Sequence, residues 1–212
     1  PNSSIVYRLQ TVEGYDPLYL ARYGEFVAAW ESGNPEAQAA FGRILTPHNF
    51  ESKIADLLNV KYILSLKDER SPKVELVFQE GQTRVYENKK VLPRAFFVYD
   101  YQVAKSSQEA LRLLMDEKTD LAKTAILEED PKIKLFSPQE EGKVIIKEYR
   151  EQKVVLETQS SLPGLLILSD NFYPGWQAFI DGKQVKIYRV DYTLRGIIVP
   201  EGRHKVEFYL AL

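Results

Sequence analysis

Leu165 to Leu212 reads LLILSDNFYPGWQAFIDGKQVKIYRVDYTLRGIIVPEGRHKVEFYLAL, and its own turn residues cut it into strands. Leu165 to Leu168 is an apolar run too short for a helix and suited to a buried strand. It stops at the polar residues Ser169, Asp170 and Asn171. Tyr173-Pro174-Gly175-Trp176 follows, with Pro and Gly at the two central positions expected of a type II turn. Trp176 to Ile180 alternates, Asp181-Gly182 is a two-residue hairpin signal, and Lys183 to Tyr188 alternates back. Thr193 to Val199 and His204 to Leu210 repeat the pattern around Pro200-Glu201-Gly202. The expectation for this part is an antiparallel meander.

The whole chain has 212 residues, 44% hydrophobic and 27% charged, enough for one large or two small domains with a substantial core. A net charge of −2 carries no electrostatic footprint for nucleic acid. Without cysteine, disulfides and thiolate-bound metals are excluded. Two histidines, His48 and His204, argue against a His-rich metal site. No run approaches the roughly 18 apolar residues of a membrane span, and no signal peptide or cofactor motif is found.

Upstream, Ile5 to Val12 favours a strand. Asp16-Pro17 has the form of a helix start, with Leu20, Tyr23, Val27 and Trp30 on one face and Ser32-Gly33-Asn34 as the stop. A second helix is expected from about Glu51, burying Ile54, Leu57 and Leu58 and ending at Asn59, with a strand from Val60 to Leu66. Val74 to Phe78 and Arg84 to Glu87 flank a turn at Glu80-Gly81-Gln82. Ala95 to Val103 is β-rich, Ser106 and Glu109 make a capping box for a helix through Met115, and Thr124 to Leu127 is a strand. Glu128-Glu129-Asp130-Pro131 marks the expected boundary. Beyond it lie strands at Lys132 to Phe136, Val144 to Tyr149 and Lys153 to Thr158. The fold class expected is α+β: an N-terminal α/β-like part over residues 1–130, then a C-terminal antiparallel β-sandwich over residues 131–212.

Catalytic signals are thin. Glu128, Glu129, Asp130, Glu140 and Glu141 lie in expected loops, and adjacency in sequence does not bring two carboxylates to opposite sides of a glycosidic bond. Sugar binding has a better basis, because aromatic rings stack on the C–H faces of sugars while amides and carboxylates fix hydroxyls. Asp170, Asn171, Phe172, Tyr173 and Trp176 share one loop, and Tyr188, Tyr192 and Arg195 sit on strands that could lie nearby. The same residues make equal sense as core and turn architecture. Gly196 beside Arg195 marks a bulge or a close approach.

The run from Ser169 to Phe208 strongly resembles the C-terminal extracytoplasmic segment of the YfhO family of bacterial membrane proteins. The family carries a similar Tyr-Pro-Gly-Trp turn with an Asp-Gly hairpin, matched here at Tyr173 to Trp176 and Asp181-Gly182. It also carries a stretch like Arg195 to Phe208 just before a last transmembrane helix. Gly14 to Leu18 and Leu57 to Ser65 are similar too, while about Lys67 to Lys153 matches loosely. The resemblance implies a polytopic protein similar to lipid-dependent GT-C-type glycosyltransferases, acting on cell-envelope polymers. It places this region on the extracytoplasmic side of the cell membrane. Starting at Pro1 and ending in or after a strand, the chain reads as a soluble piece of such a protein. The family's catalytic acid lies in the membrane body, so no residue here is expected to be catalytic. The partners implied are the protein's own transmembrane body and an envelope glycan or lipid-linked sugar. The alternative is a purely structural module without a ligand.

Overall fold

The structure, a computed structural model, describes residues 10–15, 19–39, 42 and 44–211. The chain divides into two compact units, Pro1–Pro93 and Arg94–Leu212.

The first unit carries β1 (Gly14–Tyr15), α1 (Ala21–Ser32), β2 (Ile44–Leu45), α2 (Lys53–Leu57), β3 (Tyr62–Ser65), β4 (Val74–Glu80) and β5 (Thr83–Asn88). The Asp16-Pro17 helix start and the Ile5 strand fall outside the described residues, apart from the strand's last three, Gln10 to Val12, which are not strand. The position before α1 is Leu20, which provides no side-chain cap, and the helix stops at Gly33 as expected. Phe26, Val27, Ala29 and Trp30 form its buried face. α2 is capped by Ser52, whose hydroxyl accepts from the Ile54 N–H, and Asn59 follows it with φ 59°. The Lys73 ammonium lies against Asp56 at 2.8 Å and donates to the carbonyls of Glu51 and Ser52, which engages all three of its N–H groups. Asn88 donates to the same Asp56 oxygen at 2.7 Å. This buried pair ties α2 to a three-stranded sheet ordered β3-β5-β4. Leu64 and Phe78 both face Val85 across that sheet, and Leu64, Leu66 and Phe78 stand in solvent.

The second unit continues with β6 (Ala95–Val98), β7 (Asp100–Val103), α3 (Ser107–Met115), β8 (Thr124–Leu127), β9 (Lys143–Arg150), β10 (Lys153–Ser160) and β11 (Gly164–Asn171). It ends with β12 (Trp176–Ile180), β13 (Lys183–Val185), β14 (Tyr188–Val190), β15 (Leu194–Val199) and β16 (Gly202–Leu210). Two sheets result, one ordered β13-β12-β16-β10-β9 and the other β6-β11-β15-β14-β8-β7. Leu166, Leu168, Ile197 and Val199 of one sheet pack against Val154, Leu156, Ala178, Val206 and Phe208 of the other, which is the core of a β-sandwich. Leu165 and Ile167 are buried as well, so β11 is covered on both faces. That is why its sequence is continuously apolar rather than alternating.

Four expectations need correction. The C-terminal strands are not a meander: β12 and β16 pair in one sheet while β14 and β15 pair in the other. Lys183 to Tyr188 is therefore split, leaving one sheet after Val185 and entering the other at Tyr188. Lys132 to Phe136 forms no strand, and Phe136 is exposed. The Tyr173-to-Trp176 turn closes with a 3.1 Å backbone hydrogen bond, but Gly175 lacks the positive φ of a type II turn. Gly175 serves close approach instead, since a Cβ there would lie 3.1 Å from Leu210 Cδ1 and 3.3 Å from the Ala211 carbonyl oxygen. The boundary expected at Asp130 falls inside the second unit, because β6, β7 and β8 are strands of the sheet that holds β11, β14 and β15.

The Asp181-Gly182 hairpin forms as expected, with φ of 50° and 79°, the signs a type I′ turn requires. His204 closes over it. One ring nitrogen meets the Asp181 carboxylate at 2.7 Å and the other the Glu201 carbonyl at 2.9 Å. Both partners are acceptors, so the geometry calls for two N–H donors, the imidazolium form. The bond to Asp181, then that to Glu201, holds the His204 pKa above its ordinary 6.5. Stability from this contact is complete below about pH 6.5 and is lost as pH rises through the raised folded value. Urea unfolding of wild type and His204→Phe between pH 5.5 and 9 should show a decline in stability that the variant lacks; parallel curves would refute the contact. A second expectation concerns Gly196, where a Cβ would lie 2.6 Å from Val190 Cγ1 and 3.2 Å from Leu165 Cδ1. Gly196→Ala should cost about 1–3 kcal/mol through overpacking, and adding Val190→Ala should recover part of the loss in the same assay.

Candidate functional site

Period-two alternation along β15 places Arg195 on the face that carries Ile197 and Val199, the face turned to the opposite sheet. Arg195 is 2% exposed. Its guanidinium carbon lies 3.8 Å from the centre of the Trp176 ring and 5.6 Å from that of Phe208. Both rings belong to strands of the opposite sheet, so a cation is clasped by aromatic faces inside the sandwich.

Asp170 neutralises it. Arg195 Nη2 donates to Asp170 Oδ2 at 2.6 Å, while Tyr149 donates to Asp170 Oδ1 at 2.6 Å and Arg94 pairs with the same oxygen. Arg94 also donates to the Tyr149 hydroxyl at 2.7 Å. Burial, aided by the Asp170 charge, pushes the Tyr149 phenol up to about 12, so it stays a donor at neutral pH. Burial draws Arg195 down to about 10, with Asp170 opposing the shift; it remains charged. For Arg94, burial opposes the charge, yet Asp170 and Tyr149 hold its pKa above the ordinary value. Arg195 Nε and Nη1 and Arg94 Nε have no hydrogen-bond partner. For Arg195 the aromatic faces supply the compensating field in place of acceptors.

The neighbouring backbone is fixed with comparable care. Thr193 donates to Asn171 Oδ1 at 2.9 Å, and the Phe172 N–H donates to the Thr193 carbonyl at 2.6 Å. Asp191 and Tyr192, between β14 and β15, both hold positive φ, 47° and 75°. For a residue as bulky as Tyr that conformation is strained. Asp191 is solvent-free and its Oδ1 accepts from the Ile126 N–H at 2.8 Å.

Of the eight residues singled out from sequence, Asp170 and Trp176 are both brought into contact with Arg195, and Phe172 is half-buried beside them. Asn171 bonds Thr193 beside them, and Tyr192 is buried at 3% exposure. Tyr173 stands in solvent at 51%. Tyr188 is half-buried, with the Lys186 ammonium 5.2 Å from its ring centre. The acidic run upstream is engaged in loop contacts, Glu129 with Lys186 and Asp130 with Tyr101. Among the described residues no three of His, Asp and Glu are grouped to hold a metal ion. Sequence reasoning missed Arg94 and Tyr149, which lie 76 and 21 residues from Asp170. The available signal was the unsatisfied charge of Arg195 on a core-facing position, which obliges a counter-ion and a network around it.

The shared carboxylate orders the expected losses. Asp170→Asn leaves two guanidinium groups without a counter-ion and should cost about 3–5 kcal/mol. Arg195→Met should cost less, since Asp170 keeps Arg94 and Tyr149, and Tyr149→Phe least, about 1–2 kcal/mol. Denaturant midpoints would check the order, and an Asp170→Asn protein as stable as wild type would refute it.

No described helix is long and apolar enough to cross a membrane. No curated protein and no solved structure matches the chain. Residues 104–210, about half of the chain, match the family described as bacterial membrane protein YfhO. The match spans α3 to the end of β16 and takes in Asp170, Trp176 and Arg195. The chain belongs to the YfhO family of bacterial membrane proteins.

Proposed function

We propose that this chain is the extracytoplasmic region of a membrane-embedded, GT-C-type glycosyltransferase that moves a sugar from a lipid-linked donor to a cell-envelope polymer. Within it, the β-sandwich acts as a brace for the membrane body rather than as a catalytic unit. One observation carries the bracing role: the polar groups that would grip a glycan are spent on one another. Both Asp170 oxygens, the Asn171 amide oxygen and one edge of Arg195 are bonded inside the protein. A site that must exchange protein bonds for ligand bonds gains little net energy from doing so.

Acceptor positioning is the second reading, and the exposure of Tyr173 favours it. Tyr173, Trp176 and Tyr188 keep ring surface that a sugar face could cover.

Two measurements test the pair. The sugar content of envelope polymers should fall in cells lacking the intact membrane protein and return with it; an unchanged content would remove the transferase reading. Titration of the chain with envelope glycans, followed by NMR, should give no saturable shift at millimolar concentration. A saturable shift that disappears in folded Tyr173→Ala would replace bracing with acceptor recognition.

A further inference from the structure

Backbone hydrogen bonds gather several aromatic and basic side chains at one end of the sandwich. The Leu210 N–H donates to the Gln152 carbonyl, and the Ala211 N–H to the Gly175 carbonyl at 2.9 Å. Tyr209 stands opposite Lys153 and Leu210 opposite Trp176. The β9–β10 turn, the Tyr173–Trp176 turn and the last residues of β16 therefore share this end. Phe172, Tyr173, Trp176 and Tyr209 bring four rings to it. Arg189 lies 4.7 Å above the Phe172 ring, and Lys153 5.8 Å from that of Tyr209. Tyr173 and Pro174 are exposed, and Phe172, Trp176, Tyr209 and Leu210 half-buried.

Rings with a polar tip, interleaved with Arg and Lys, are the composition that settles at the headgroup level of a bilayer. Arg150 and Lys153 hold Glu148 at 2.8 Å and 2.6 Å, so basic side chains and a carboxylate stand together beside the rings, a mixed charge suited to a headgroup layer. The turn is already rigid, bonded to Thr193 through Phe172, to itself through Trp176 and to Ala211 through Gly175. Little ordering entropy remains to be lost on contact.

We propose that this end of the sandwich, led by Tyr173 and Trp176, rests in the headgroup layer of a lipid bilayer. The proposal deepens the bracing role and rests on its membrane setting, not on sugar transfer. Vesicles carry no sugar donor, so the two readings fail separately.

The chain has two tryptophans, and Trp30 is 2% exposed, so Trp176 is the natural reporter. The 212-residue chain would be tethered through an N-terminal hexahistidine tag to nickel-chelating vesicles of phosphatidylcholine and phosphatidylglycerol carrying brominated acyl chains. Tryptophan emission should be quenched, most strongly by bromine nearest the headgroups, and the quenching should vanish in Trp176→Phe. Without the tether, Tyr173→Ala should weaken vesicle binding by about tenfold, the scale of one ring losing its apolar contact. Tyr173 is exposed, so this variant tests the surface without risk to the core. Absence of quenching, or quenching that persists in Trp176→Phe, would overturn the proposal. So would binding that ignores Tyr173→Ala but is lost in a Leu64→Ser, Phe78→Ser double variant, which would move the contact to the first unit.

Discussion

A guanidinium locked between two aromatic rings inside a β-sandwich constrains much of the second unit. Arg195 shares a face with Ile197 and Val199, so the fold must either expose that face or compensate a buried charge. It compensates, with Asp170 at 2.6 Å and the Trp176 ring at 3.8 Å. Desolvation of an arginine is tolerable only when charge and geometry are both met, so the surrounding strands lose their freedom to slide. β11 supplies the carboxylate and β12 and β16 supply the rings, which makes the Arg195 pair a register pin across both sheets.

The pin acts alongside an unusual sheet closure. β6 and β7 lie at opposite edges of the six-stranded sheet, yet only Tyr99 separates them in sequence. The two edges are thus halves of one run, and the sheet must curl back on itself. β6 pairs with β11 and β7 with β8, so this one run ties the two edges together, and β11 is buried on both faces. A doubly covered strand beside a buried ion pair leaves few soft modes at this end of the second unit. The Tyr173–Trp176 turn, stitched to Ala211, inherits that rigidity.

How far the sequence carries depends on the range of the physics involved. Local devices were legible: the Ser106 cap, the Asp181-Gly182 hairpin, the Asn59 helix stop and the apolar run at Leu165. Each is decided within a few residues by sterics or a short hydrogen bond. Sheet membership was not, because alternation assigns a face but not a partner, and Lys183 to Tyr188 reads as one strand while serving two sheets. Gly175 was located correctly for the wrong reason, since crowding by Leu210 is a long-range fact. For the site, Asp170, Trp176 and Arg195 were named, either as a sugar-binding surface or as core and turn architecture. The alternation that puts Arg195 beside Ile197 and Val199 already pointed inward. Arg94 and Tyr149 come from strands far upstream, and no local signal ties them to Asp170.

The same network bears on what this region can do for its membrane protein. A recognition site works by leaving bonds to be made, whereas Asp170 already accepts from three donors. Opening it to a ligand would strand two guanidinium groups, at a cost that a few sugar hydroxyls do not return. What the network does provide is stiffness at the end where β16 finishes, beneath rings that are only partly covered. Stiffness and a partly apolar rim are what a docking foot requires, and the exposed Tyr173 ring there is covered by little of the protein. On the proposed bracing role, the cluster is the foundation of a contact surface rather than a ligand site.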